Sequence, residues 1–327
     1  MVLVSGANGF VGKALCAELF RRGQDVRAAV RSATGQSENI ETVPIGAIDG
    51  ETDWTEALLG IKAVIHLAAR VHVMKDNVTD SLDAFRRANV DSTLNFARQA
   101  ADAGVQRFIF ISSIKVNGEA TPLGRPYTAE DRPAPIDPYG ISKLEAEDAL
   151  RQLAEQTGME VVIIRPPLVY GPGVKANFHS MMHWLEKGVP LPLGAIHNKR
   201  SLVALDNLVD LIVTCIAHPA AANQTFLTGD GEDLSTTELM QRMGNALGKP
   251  ARLFPMPIWL LKAGAMLLGK RDMAQRLCNS LQVDISKARD LLGWQPPVSV
   301  DEALKKTALD FLLHNPHGCS ECSRGKS

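Results

Sequence analysis

The sequence has 327 residues, 45% hydrophobic and 22% charged, the balance of an ordinary globular protein and not of a disordered or fibrous one. Lys plus Arg number 35 and Asp plus Glu 36, a formal net charge of −1, so no overall basic excess calls for nucleic acid or an acidic membrane as partner. The amino terminus, MVLVSGANGF, lacks the basic flank and long apolar stretch of a secretory signal, and Cys16, Cys215, Cys278, Cys319 and Cys322 make no paired framework, so a reducing cytoplasm is the expected compartment.

Short apolar runs recur at 2–4, 26–30, 43–45, 63–66, 108–111 and 161–164, and helical spacing fills the gaps at 11–20, 54–59, 84–103 and 142–156. Strands that are apolar throughout and separated by helices argue for a parallel sheet covered on both faces, the doubly wound α/β architecture of the Rossmann type. After Arg165 the pattern changes to mostly helical, with Pro and Gly clusters near 166–173, 190–194 and 250–257. The expected organisation is a dinucleotide-binding domain at 1–165, a smaller substrate-binding lid region at 166–314 interleaved with the sheet, and a disordered polar tail at 315–327. The apolar segment 258–268, interrupted by Lys262, is too short to span a bilayer and is expected to pack on the core as an amphipathic helix, a docking surface on a membrane being the lesser alternative, so stable membrane insertion is not expected.

Gly6, Gly9 and Gly12 form G-x-x-G-x-x-G directly after the first strand and at the opening of the first helix. Glycine suits a sharp turn whose backbone must approach a pyrophosphate, and the helix start aims free N–H groups at the phosphates. At the end of the second strand an NAD site places a carboxylate on the ribose hydroxyls, whereas here Val30 stands there, followed by Arg31 and Ser32. An arginine fork suits a 2′-phosphate, so NADP(H) is favoured over NAD(H).

Tyr139 and Lys143 share one helical face in YGISK, just after Pro138. A lysine ammonium beside a phenol is expected to lower its pKa, making Tyr139 a general acid/base. Ser112 and Ser113 end the fifth strand at the carboxyl edge of the sheet, where Ser113 is placed to hold the same reacting oxygen, and Asn89 completes the set. His66 ends an apolar strand and reads as a satisfied core histidine; Arg70 and His72 follow it. Cys319 and Cys322, with His314 and His317, have superficial zinc spacing but no scaffold, so no metal is expected.

The run of GANGFVG, HLAA, SSIKVNG, PYGISK, RPPLVYGPG and DISKARDLLGW along nearly the whole chain resembles the extended short-chain dehydrogenase/reductases. That is the family of UDP-galactose 4-epimerase and the nucleotide-sugar dehydratases and 4-ketoreductases. The resemblance implies a Ser113–Tyr139–Lys143 triad supported by Asn89. It implies cofactor contacts at Gly6, Asn8, Gly9, Phe10, Val11, Gly12, Arg31, Ser32, Ile48, Leu67, Ala68, Ala69, Tyr139, Lys143, Pro166 and Leu168. The family's adenine-binding Asp is replaced by Ala47, leaving Ile48 and Asp49 nearby. On the substrate side it implies Asn177, Leu193 within PLPLG, Arg200 and Arg276 as ligands of a UDP-sugar, together with Ser113.

Dehydratases of this family carry Asp–Glu where this chain has Ile114 and Lys115, which argues against elimination of water. The favoured reading at this point is NADPH-dependent reduction of the 4-keto group of a UDP-linked 6-deoxy-N-acetylhexosamine, giving for example UDP-N-acetylquinovosamine for surface polysaccharide. A UDP-hexose or UDP-N-acetylhexosamine 4-epimerase holding NAD is the alternative, and a non-catalytic NADP(H)-binding protein is the alternative of another class. A homodimer through 84–103 and 142–156 is the family's expectation.

Overall fold

Val2, Leu3, Val4 and Ser5 are all buried, and together they form β1 (Val2–Ser5), which only a strand covered on both faces can do. The computed structural model describes residues 1–32, 40–70, 78–267, 269 and 271–314, with backbone alone for 78–81 and 271–273. After β1 come α1 (Phe10–Arg21), β2 (Val26–Val30), β3 (Glu41–Pro44), α2 (Thr55–Leu58) and β4 (Ala63–His66). Then follow α3 (Val78–Arg86), a π-helical turn at Arg87–Asp91, α4 (Ser92–Asp102), β5 (Arg107–Ile111), α5 (Pro138–Thr157) and β6 (Glu160–Arg165).

Six of these strands, with β7 (Leu168–Tyr170) and β8 (Arg200–Ala204) set apart and β9 (Thr225–Leu227) added after α6 (Ala176–Glu186) and α7 (Leu205–Ala217), make one sheet of order β3-β2-β1-β4-β5-β6-β9. Every pairing is parallel, as in Val4↔Ala28, Val4↔Ile65, Ile65↔Ile109 and Ile109↔Val162. Successive residues point to opposite faces. Val4, Ile65 and Ile109 therefore meet Leu15 and Leu19 of α1 and Leu208 and Ile212 of α7. Leu3, Val64 and Phe108 meet Phe96 of α4 and Leu150 of α5 on the other side. The expected doubly wound parallel sheet is present, with β9 as a seventh strand drawn from the second half of the chain.

A second, three-stranded sheet of order β10-β8-β7 is completed by β10 (Asp233–Leu234). It lies over a separate core that joins Tyr170, Phe178 of α6, Met240 of α8 (Thr236–Ala246) and Phe311 of α12 (Val300–His314). Asp230 ties this layer together: Tyr170 donates to its Oδ2 at 2.8 Å, and the Ala204 amide and Asn207 Nδ2 donate to its Oδ1 at 2.7 Å each.

Between α8 and α12 lie α9 (Ile258–Leu267), α10 (Arg271–Cys278) and α11 (Ser286–Leu292). The segment expected to pack on the core as an amphipathic helix forms α9, but none of its residues is buried. The helix meets the second core only through one half-buried face, with Leu261 against it, and its other face lies on the surface. Among the described residues no helix is long and apolar enough to cross a membrane.

Candidate active site

In a parallel sheet of this order the crevice outside the carboxyl ends opens where the strand order reverses, here between β1 and β4. Three segments converge on that edge: the glycine turn after β1, the 67–70 loop after β4, and Ser112 and Ser113 after β5.

The glycine turn is set by space. Gly6 holds φ +70°, and a Cβ on it would lie 2.9 Å from the Ala68 amide nitrogen, so its backbone packs directly on the loop after β4. A Cβ on Gly12 would lie 2.7 Å from the Ala7 Cα, so only glycine lets α1 start this close to the turn. Gly9 is the N-cap of α1 and no side chain caps it. The first amides of an α-helix have no partner within the helix, and Asn8 and Gly9 are exposed while Phe10 and Val11 are half-buried. An open, uncapped helix start of this kind fits the phosphates of a dinucleotide.

Along the rest of the expected cofactor crevice the environments differ. Val30 is 3% exposed and belongs to the core, whereas Arg31 and Ser32 are exposed. Ile48 is half-buried against the core. Asp49 does not stand free for adenine: its Oδ1 accepts from the Glu51 amide at 2.9 Å and the Thr52 hydroxyl at 3.1 Å, closing its own turn. Leu67, Ala68 and Ala69 are half-buried, Pro166 is buried and accepts from the Ile114 amide at 3.0 Å, and Leu168 is exposed.

The triad residues sit on two elements. Asp137 caps α5, accepting from the Gly140 amide at 2.7 Å, and pairs closely with Lys115. Pro138 opens the helix, so Tyr139 and Lys143 fall in its first two turns on one face. Ser113, whose Oγ accepts from the Lys115 amide at 3.3 Å, lies close enough to the Tyr139 phenol to favour its ionised form. Burial pushes the phenol up to about 12, the charge of Asp137 adds to that rise, and the Ser113 contact offsets part of it. Lys143 is buried and its Nζ donates to the Ile111 carbonyl at 2.7 Å, 3.8 Å from the centroid of the Phe110 ring. Burial drives its ammonium down to about 7 against the opposing pull of Glu147. The expected lowering of the phenol by Lys143 is therefore absent from the protein alone. Desolvation is the larger effect, and the ammonium is committed to a carbonyl at the end of β5.

Asn89 lies in the π-helical turn, buried, and its side chain spans two elements. Its Oδ1 accepts from the Arg70 amide at 2.8 Å, and its Nδ2 donates to the Arg70 carbonyl at 3.1 Å and to Ser142 Oγ at 3.0 Å. Ser142 in turn donates to the Tyr139 carbonyl at 2.8 Å. The expected continuous helix over 84–103 is thus interrupted where it carries Asn89, as π turns often are at functional sites.

Sequence reasoning missed the support beneath. Glu147, one turn past Lys143, is 0% exposed and accepts from Arg165 at 2.9 and 2.6 Å and from the Ser112 hydroxyl at 2.5 Å. Arg165, 2% exposed, also donates to Asn117 Oδ1 at 3.0 Å. The signal was present as a Glu four residues after Lys143, but its partner Arg165 lies at the end of β6, far along the chain. His66 is the core histidine expected: Nδ1 pairs with Ser5 Oγ at 2.6 Å and Nε2 with Thr93 Oγ1 at 3.0 Å, and burial takes its pKa down to about 3.

Of the residues expected on the substrate side, Asn177 is exposed on α6, next to Ala176, whose φ of 55° is uncommon for a residue with a Cβ. Leu193 is 6% exposed in the second core and its carbonyl accepts from Thr237 at 2.6 Å, so its side chain offers no ligand surface. Arg200 donates to the Arg276 carbonyl at 2.6 Å, and burial and the positive charge of Arg276 both lower its pKa. The two arginines thus share a neighbourhood. His72, His317, Cys319, Cys322 and the 315–327 tail lie outside the described residues.

Residues 2–229 match the model of the NAD dependent epimerase/dehydratase family. The chain belongs to that family. It is 50% identical over 316 residues to a Vibrio cholerae protein named UDP-glucose 4-epimerase, covering 96% of each chain. An Escherichia coli dTDP-4-dehydro-6-deoxyglucose reductase is 25% identical, covering 93% of this chain and 95% of its own. The fold is shared with the Thermotoga maritima UDP-glucose 4-epimerase solved with UDP-glucose, at a TM-score of 0.75 and 23% identity over 96% of this chain and 99% of that one.

These findings overturn the expectation of an NADPH-dependent 4-ketoreductase. Half of all positions agree with a protein named as an epimerase, twice the agreement with the reductase. The expectation leaned in part on Arg31, an exposed residue at a strand end, while the triad suits both reactions.

Proposed function

We propose that this protein is a 4-epimerase of a UDP-hexose or UDP-N-acetylhexosamine, working with a held NAD. The observation that carries the reading is the 50% identity, over 96% of both chains, to a protein named UDP-glucose 4-epimerase. Ser113 and Tyr139, with Lys143 on the same helix face as the phenol, supply a chemistry suited to it.

Inverting C4 of a hexose without net oxidation requires the carbon to lose and regain hydrogen from opposite faces. The dinucleotide, when bound, supplies the reversible hydride acceptor and, oxidised, a positive charge near the phenol. Tyr139 removes the proton from the C4 hydroxyl during oxidation and returns it during reduction. Ser113 donates a hydrogen bond to the same oxygen in both directions, and Lys143 orients the nicotinamide ribose. Asn89 holds the loop after β4 and the first turn of α5 in one register. The glycine turn with Asn8, Phe10 and Val11 takes the pyrophosphate. Asn177, Arg200 and Arg276, from the 166–314 region, meet the sugar nucleotide, the two arginines at its diphosphate.

Val30 offers no carboxylate to the ribose hydroxyls, so discrimination between NAD and NADP falls to Arg31 and Ser32. The decisive experiment incubates the purified protein with UDP-glucose, UDP-galactose and their N-acetyl counterparts without added reductant. Interconversion to one equilibrium mixture from either direction is expected. No interconversion of any of the four, by protein shown to carry NAD, would overturn the reading.

A further inference from the structure

We propose that α9 docks the protein onto the surface of an anionic lipid bilayer. The inference goes beyond the reaction and does not depend on which sugar is turned over.

The helix reads IWLLKAGAML, eight of its ten residues apolar if Gly264 is left aside with Lys262, and none of the ten is buried. Trp259 is 69% exposed, Leu260 43%, Met266 63% and Leu267 89%. At 100° per residue, Trp259, Leu260, Met266 and Leu267 fall on one face two turns apart. Ile258, Leu261 and Ala265 take the opposite face and are half-buried against the protein. Soluble surfaces carry scattered apolar side chains, but four large ones together on a single helix face mark a site of contact.

Charge selects the occupant. From Lys249 to Cys278 the sequence carries Lys249, Arg252, Lys262, Lys270, Arg271 and Arg276 against the lone Asp272, in a chain whose net charge is −1. Lys262 lies at the margin of the exposed face, where a long stem follows apolar surface and leaves its ammonium at headgroup level. An apolar face with a tryptophan and a basic margin is the make-up of a helix lying in a bilayer interface, drawn by anionic headgroups. A second copy of the chain is a poorer fit. A two-fold contact would set Lys262 near its own copy, and a helix about 15 Å long supplies far less than the roughly 800 Å² per partner of a standard interface.

The position of this surface is informative. Arg276 on α10 lies beside Arg200 of β8, and Lys262 of α9 acts on Cys278 at the end of α10. The docking face therefore adjoins the arginine pair, so a protein seated through α9 works close to the membrane surface.

The test is co-sedimentation of the full chain with vesicles of phosphatidylcholine and phosphatidylglycerol, and with phosphatidylcholine alone. Binding to the anionic vesicles is expected, weakened in high salt. Trp259→Ser with Leu267→Ser should lower the partition at least about tenfold, since two large apolar side chains no longer enter the interface. Lys262→Glu should lower it roughly fivefold or more. Far-UV circular dichroism and thermal melting of each variant should match the parent, because these side chains make no core contacts. Three results would overturn the proposal: no binding to anionic vesicles, equal binding by parent and double variant, or a dimer in solution that the double variant abolishes.

Discussion

The amide of Asn89 donates to the hydroxyl of Ser142 at 3.0 Å, joining the π turn before α4 to the helix that carries Tyr139 and Lys143. With its contacts to Arg70, this one side chain locks the loop on the cofactor side to the turn on the proton-transfer side. Asn89→Ala should cost about 1–3 kcal/mol of stability, the penalty of leaving buried polar partners unmet. It should also lower kcat by more than it raises KM, because Tyr139 loses its register. Denaturant unfolding and steady-state kinetics check this together; unchanged values in both would show that the link is idle.

Tyr139→Phe should leave the fold and dinucleotide binding intact and reduce turnover by about 10²–10⁴-fold, the usual contribution of a general acid/base. Turnover within a few-fold of the parent, at equal cofactor content, would remove the phenol from the reaction.

Glu147 is buried against Arg165 and also accepts from Arg151 at 3.0 Å, so removing Glu147 strands the buried Arg165, whereas Arg151 still faces Glu147 when Arg165 is removed. Glu147→Ala should destabilise by about 3–5 kcal/mol, and Arg165→Ala by less. A double replacement by apolar residues of similar volume should recover much of that loss. Chemical denaturation of the three variants decides whether the two side chains act as one unit.

His66 gives a pH signature. Its folded-state pKa of about 3 lies below the ordinary imidazole value of 6.5, so between these pH values the unfolded chain binds the extra proton. Its contribution is complete above the unfolded value and is lost as pH falls through the window toward 3. The unfolding free energy of the parent should therefore decline by up to about 1.4 kcal/mol per pH unit more steeply than that of His66→Gln. Parallel curves between pH 6 and 4, on the scale set by that single proton, would show that the histidine is not buried neutral.

Arg200→Ala should weaken the sugar nucleotide by about tenfold or more, the scale of a charge-assisted contact worth 1.5–3 kcal/mol. NAD affinity should stay nearly constant. The melting temperature should fall as well, since Arg200 also holds the Arg276 and Asn279 carbonyls at 2.6 and 3.3 Å. Calorimetric titration with each ligand separates the two roles; equal loss for both ligands would make Arg200 purely structural.

Much of this was legible in local pattern. Largely apolar strands announce a sheet covered on both faces, and glycines at 6 and 12 announce a turn that no Cβ would fit. Tyr139 and Lys143 needed only helical spacing after Pro138. These features depend on backbone geometry within a few residues, which sequence encodes directly.

What only the tertiary structure decided depends on partners far apart in the chain. Glu147 finds Arg165 at the end of β6 and Ser112 just after β5, and Asn89 reaches Arg70 and Ser142 from a π turn that no periodicity signals. The phenol of Tyr139 rises where local spacing predicted a fall, because desolvation depends on everything packed around it. Likewise α9 has the composition of a core helix and lies on the surface, since burial is decided by what remains to cover it. Composition and spacing set which elements form; the dielectric around each charge and the exposure of each face are properties of the assembled whole.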